Sequence, residues 1–389
     1  MTDGVMPRLV GLDIARFVAI LGMMSAHVTE RGESWFFAVS DGNASTLFAV
    51  IGGLSIVLAT RRYLDAGAAV AACWALAARG VAVIGIGLTL GLLGSPAIVV
   101  LVYFGASMIC TVPFLFAPTW VLVLSATVLA VVGPLVNGSV RAQLGAPDEG
   151  GSLAWTALEH PVTLLRATFV TGTYPVITWL VYMLVGMTVA RLLFIAQQKG
   201  THRRFAIVLA GIGAAGLAAT LGFVALLFRL LGRESELSSA AVDLGAPGSG
   251  WWSYLLHTPH TGSFFDITRG VGVAFIVIGV CLLLAWSLPS VWLVVLHPVS
   301  AAGAAPLTVY VAHIFAYSFA TAYYQESGAA EFPWWFSGPS ALALHAALAL
   351  VIGAILALLR RRGPLETFVS RFSEQIAEAL SPRTPTPAR

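Results

Sequence analysis

Ten runs of predominantly apolar residues, most of them about twenty long, follow one another along this chain, at 9–28, 43–60, 79–95, 97–117, 119–136, 174–195, 205–230, 267–289, 303–322 and 338–359. Coiled as helices, runs of about twenty residues match the hydrocarbon thickness of a bilayer. In lipid every backbone polar group needs an internal partner, and a helix supplies these within one segment. The sequence therefore predicts an all-α fold: a polytopic membrane helix bundle with about ten transmembrane helices. Charged residues make up 10% of the 389 and hydrophobic residues 58%, whereas soluble domains carry about 25% charged residues. The stretch 63–78 is apolar but shorter than the others, and reads as an interfacial helix leading into the third span.

Ten spans put both termini on one side. With that side cytoplasmic, fourteen Lys and Arg fall inside and six outside, and the positive-inside bias favours N-in and C-in. The expected location is the plasma membrane, multi-pass. Asp13 and Arg16 interrupt what would be the apolar region of a cleavable signal, so none is expected. A net charge of +3 gives no reason to expect nucleic acid as a partner. Cys73, Cys110 and Cys281 are scattered in apolar stretches, with neither a disulfide framework nor metal-ligand spacing; no metal is expected.

Two long outer loops emerge, 137–173 and 231–266, rich in Gly, Ser, Pro and acidic residues. Loops of that length serve function or are disordered. Residues 1–363 form the expected membrane domain. Residues 364–389 form a cytoplasmic tail, in which Leu365, Phe368, Phe372, Ile376 and Ala379 line one helical face and suit the inner leaflet. From Ser381 on, the repeated Pro and Thr read as disordered. No internal repeat of the kind found in secondary transporters is visible.

The chemistry concentrates in the first span. Charged and imidazole side chains within a span are costly and mark function by default. Arg16 and His27 are eleven residues apart, which returns two side chains to within about 20° of one helical face, roughly 16 Å apart along the axis. Asp13 lies three residues before Arg16 and can pair with it. The pattern reads as a polar stripe facing a cavity; the alternative is an internal salt bridge beside an interfacial His. Asp41 and Asn43 open the second span, either as site residues or as a capping turn. His313 lies inside an apolar run and needs a polar partner. His345, alone on its span, is expected to pack or hydrogen-bond locally. Gly52-Gly53, and Gly87 with Gly91, suit close helix packing.

The segment Leu12-Asp13-Ile14-Ala15-Arg16, followed after ten further residues by His27, resembles the opening motif of the transmembrane acyltransferase superfamily. Residues 41–55, 172–187, 259–263, 303–310 and 363–366 extend the likeness to one branch. These are the YeiB-like bacterial proteins related to heparan-α-glucosaminide N-acetyltransferase. The resemblance implies transfer of an acyl group, acetyl in the first place, from acetyl-CoA or another acyl-CoA to an acceptor at the outer face. It implies His27 as base or acyl carrier, Arg16 as holder of the anionic donor, Asp13 as its orienting partner, and Asp41 beside them. Asn43, Tyr174, Trp179, His260 and His313 become candidate acceptor contacts, although Tyr174, Trp179 and Tyr182 equally suit an interfacial aromatic belt. The eukaryotic acetyltransferase has its catalytic His in the loop after the first span. Here residues 28–40 contain none, so either His27 takes that role or this protein does something else.

The partners this implies are membrane lipids and an extracytoplasmic glycan, glycolipid, amine or other small-molecule acceptor; a homodimer is the assembly the sequence allows. A proton-coupled transporter or lipid exporter using the same polar core is the alternative. A signalling or assembly role with a vestigial site is a third. With no phosphate-cradling Gly-rich loop, ATP-driven transport is not expected.

Overall fold

The computed structural model describes residues 9–29, 35–145, 149–238, 250–328 and 332–381. Among them the regular structure is helical, with no strand. The α-helices are α1 Val10–Val28, α2 Trp35–Ser40, α3 Asn43–Asp65, α4 Ala69–Gly91, α5 Leu101–Cys110, α6 Thr119–Gln143, α7 Pro161–Arg166 and α8 Val176–Gln198. Then come α9 His202–Leu230, α10 Phe264–Ser287, α11 Ser290–Val295, α12 His297–Gly303, α13 Pro306–Ser327, α14 Gly338–Leu359 and α15 Pro364–Leu380. Eight of these are long and apolar enough to cross a membrane. α12 and α13, bent by 85° at a short break, make a ninth candidate if counted as one span. The chain is a multi-pass membrane protein.

Two expected segments are corrected. The interfacial helix at 63–78 and the span at 79–95 are replaced by the single helix α4, which follows a turn at Gly67 (φ 69°). Arg79 had marked a membrane boundary, yet it lies inside α4, within electrostatic reach of Glu366 and Glu374 on α15. Those carboxylates offset a charge that local hydropathy counts only as a cost. The run 97–117 is not a continuous span either. α5 has ten residues, about 15 Å of helix, and gives way to a 3₁₀ turn, Val112–Leu115, that contains Pro113. The freed carbonyls are taken up by Arg191 of α8, whose guanidinium donates to Phe114 (3.0 Å), Leu115 (3.1 Å) and Ala117 (2.5 Å).

The chain divides into two compact units. The first comprises Met1–Ile51, Ile195–Phe223 and Thr268–Gly363. Here α12 packs against both α1 and α14, at contacts only glycine allows. A Cβ on Gly303 would lie 1.8 Å from the Asp13 carbonyl oxygen, and one on Gly353 2.1 Å from that of Pro298. Gly22 of α1 abuts Ser40 and Ala44 in the same way. Pro306 opens α13 at the position where a missing N–H costs nothing, and Gly328 ends it in the left-handed region (φ 63°).

The second unit comprises Gly52–Phe194, Val224–Ile267 and Pro364–Arg389. Gly53 meets the Met183 backbone and Gly87 that of Val102, the close helix packing expected of them, whereas Gly91 meets the backbone of Leu153, which lies outside any helix. The amphipathic tail helix is α15. It packs on α4 through a cluster of Ala71, Ala75 and Ala377, with Arg62 and Glu374 2.6 Å apart. The proline-rich end expected to be disordered lies almost wholly outside the described residues.

Residues 149–173, which the sequence reading assigns to an outer loop, are tied down by hydrogen bonds. Asn137 and Arg141 on α6 donate to the carbonyls of Val170 and Thr171, in a turn of π-helix. Glu149 accepts from both Arg166 and Thr171, and the Arg166 Nε lies 3.0 Å from its nearer oxygen. These bonds hold the Glu149 carboxyl below its ordinary pKa; the Arg166 hydrogen bond is the largest cause and outweighs burial.

Candidate functional site

In the first unit, Asp13, Arg16 and His27 share the unbroken helix α1. The guanidinium of Arg16 meets the Asp13 carboxylate at 2.5 Å, with the Arg side chain 16% and the Asp side chain 5% exposed. A pair so withdrawn from water needs this closeness to offset the cost of burying two charges. Thr29 closes the helix by returning its hydroxyl to the Ser25 carbonyl at 2.6 Å, so His27 occupies the last turn.

His27 is joined to two residues far away in sequence. Its Nδ1 lies 2.9 Å from Nε2 of His313 on α13, with the two rings nearly parallel, 8° apart. On its other side, Nδ1 of His313 lies 3.0 Å from Nδ1 of His345 on α14. His313 is fully buried and uses both ring nitrogens. Tyr317, one turn along α13, stacks parallel to it at 6.2 Å between centroids. The result is a row of three hydrogen-bonded imidazoles. Among the described residues no group of His, Cys, Asp and Glu is arranged to hold a metal.

His345 is the residue sequence reading missed. Its bond is to another helix, not the local one expected. The available signal was that two apolar spans each carry one His, and each such His needs a polar partner.

Asp41 and Asn43 flank Gly42, whose left-handed φ of 69° turns the chain from α2 into α3. Asn43 reaches back, its Nδ2 donating to the Val39 carbonyl at 2.8 Å. That fixes the amide's orientation and leaves Oδ1 buried with no hydrogen-bond partner among the described residues. An unmet buried acceptor costs about 1–3 kcal/mol, and a ligand N–H or O–H would satisfy it.

Three predicted acceptor contacts gather in the second unit. Tyr174 meets Trp179 edge-on at 5.4 Å and His260 at 5.4 Å, with Tyr103 against Tyr174 at 5.9 Å. Trp179 is 3% exposed, within protein instead of in a lipid-facing belt. His260 sits in the left-handed region (φ 65°), a conformation costing a non-glycine residue about 1–2 kcal/mol. The turn beyond it is locked onto α10: Ser263 Oγ accepts from the Asp266 N–H, and the Asp266 carboxylate accepts from the Gly262 N–H, both at 3.0 Å, in the manner of a capping box.

No curated protein matches the chain. A family profile described as heparan-alpha-glucosaminide N-acetyltransferase, catalytic, matches residues 8–231. That stretch includes Asp13, Arg16, His27, Asp41, Asn43, Tyr174 and Trp179, while His260, His313 and His345 lie beyond it. The match spans more than half of the chain, and its polytopic helical fold is the one such an enzyme needs: this protein belongs to the heparan-α-glucosaminide N-acetyltransferase catalytic family, a family of membrane acetyltransferases.

Proposed function

We propose that the protein transfers an acetyl group from cytoplasmic acetyl-CoA to a hydroxyl or amine on an extracytoplasmic glycan, glycolipid or small amine, with His27 as base. The observation that supports this reading is the bond between His27 Nδ1 and the buried His313; with Nδ1 as its donor, Nε2 keeps the lone pair that a base needs. The acceptor lone pair attacks the thioester carbonyl carbon while its proton passes to Nε2 of His27. The C–S bond breaks, and its electron pair leaves on the CoA sulfur. That thiolate recovers the proton from His27, so acceptor and acetyl-CoA become acetylated acceptor and CoA.

Arg16 suits the donor's phosphates, because guanidinium binds phosphate bidentately and keeps its charge. Its axial distance from His27, roughly 16 Å on a helix, is one that an extended pantetheine arm can bridge. Asn43 Oδ1 would accept from the attacking group, and Asp41 would sit beside it. Within the second unit, Tyr174, Trp179 and His260 form an aromatic cluster of a kind suited to stacking on a sugar face. Sidedness follows the charge bias: donor from the cytoplasm, acceptor from outside, in the plasma membrane.

The test is acetyl transfer from radiolabelled acetyl-CoA to a panel of amino sugars and glycolipids by the purified protein. The expected result is turnover by the wild type and loss of it in His27→Ala at unchanged yield and melting temperature. Turnover retained in His27→Ala removes that residue from the reaction. The row of imidazoles also suits a proton path, the second reading. Flux driven by a proton gradient in liposomes, with no acetyl transfer, would select a transporter.

A further inference from the structure

A neutral imidazole carries one N–H and one lone pair. His313 is fully buried, and each of its nitrogens is within hydrogen-bond distance of another imidazole nitrogen. It must donate on one side and accept on the other. The three neutral rings therefore have two arrangements only. In one, every hydrogen bond points from His27 toward His345; in the other, every bond points back. The first puts the His27 proton on Nδ1 and leaves a lone pair at Nε2. The second puts the proton on Nε2, where it blocks a base.

We infer that His345, acting through His313, is a positioning residue that fixes the proton of His27 on Nδ1. The inference rests on the proposed role of His27 as base. His345 lies 318 residues from His27 and hydrogen-bonds to the ring that bonds His27. By accepting from His313 at Nδ1, it makes His313 an acceptor at Nε2, and that in turn holds the His27 N–H in place. A carboxylate performs this duty in the Ser-His-Asp triad; here two neutral rings perform it without adding a charge to the apolar interior. The row also fixes ring planes, since His27 and His313 are 8° apart while His345 stands at 80° to His313.

The test uses the full-length protein in nanodiscs, with ring nitrogens labelled with ¹⁵N and His27 assigned through His27→Gln. The wild type should show His27 protonated at Nδ1 and bare at Nε2. In His345→Phe, which keeps a ring and removes its nitrogens, that preference should be lost. Turnover should fall about tenfold or more, as for removal of an orienting partner, with KM for acetyl-CoA unchanged. His345→Asn places an amide oxygen near the Nδ1 position and should restore both the spectrum and most of the turnover. His345→Leu serves, with the same expectation, if the Phe variant fails to fold. A wild-type His27 protonated at Nε2, or the same tautomer in wild type and variant, overturns the inference. So does wild-type turnover in His345→Phe. A wild type that transfers no acetyl group sinks the proposed function instead, and the spectra still decide the coupling.

Discussion

Gly303 and Asp13 meet so closely that a methyl group on Gly303 would sit 1.8 Å from the Asp13 carbonyl oxygen. Both the atom it would strike and the glycine's own backbone belong to helices, so neither can yield without moving its helix. Gly303→Ala should therefore destabilise the protein by about 1–3 kcal/mol or more, the range for overpacking. Gly211→Ala is the control, because a Cβ at Gly211 meets nothing within 4 Å. Thermal melts in detergent should show a clear drop for the first and none for the second. Equal melting temperatures would mean that α1 and α12 are less tightly engaged than this contact requires.

Glu149 predicts a pH dependence with a definite sign. Its carboxyl is held below the ordinary range, chiefly by the hydrogen bond from Arg166. A lowered carboxyl pKa adds stability that is complete above the unfolded value, about 4.3 for Glu. That stability is lost as pH falls through the folded value. Glu149→Gln should melt below the wild type at pH 7, and the gap should close as the pH drops below about 4. A gap that stays constant across that range would refute the ionised clasp.

Arg191 serves three carbonyls at the point where α5 gives out. Arg191→Leu takes the guanidinium from all three carbonyls at once, and a buried acceptor left unmet costs about 1–3 kcal/mol. The expected outcome is a large loss of folded yield and melting temperature. Arg191→Lys should recover only part of it, since an ammonium lacks the planar fork that reaches several acceptors together. Full recovery by Lys would show that charge, and not the fork, is what the break needs.

What the sequence makes legible is what depends on local hydropathy and spacing. Eight long apolar helices, the glycine contacts and the amphipathic tail all follow from patterns within twenty or so residues. The breaks do not. α5 ends early at a turn served by Arg191, a residue 76 positions beyond Leu115; α4 runs on through Arg79 because Glu366 and Glu374 come from α15. The site divides in the same way. Spacing on one helix relates Asp13, Arg16 and His27, while the bonds from His27 to His313 and from His313 to His345 exist only once distant helices have packed. A lone His on an apolar run looks inert until its partner arrives from another span.

Apart from the Glu149 clasp, residues 149–173 are held largely by their backbone. Asn137 and Arg141 grip the carbonyls of Val170 and Thr171, and the Thr173 hydroxyl takes that of Gly150. A carbonyl is the same whatever residue bears it. Side chains of this segment other than those that make bonds of their own, Glu149, Arg166, Thr171 and Thr173 among them, are thereby released from the work of keeping its course, and selection can exchange them one at a time. The course of the segment is then retained through such exchanges, each of which should cost little in folding.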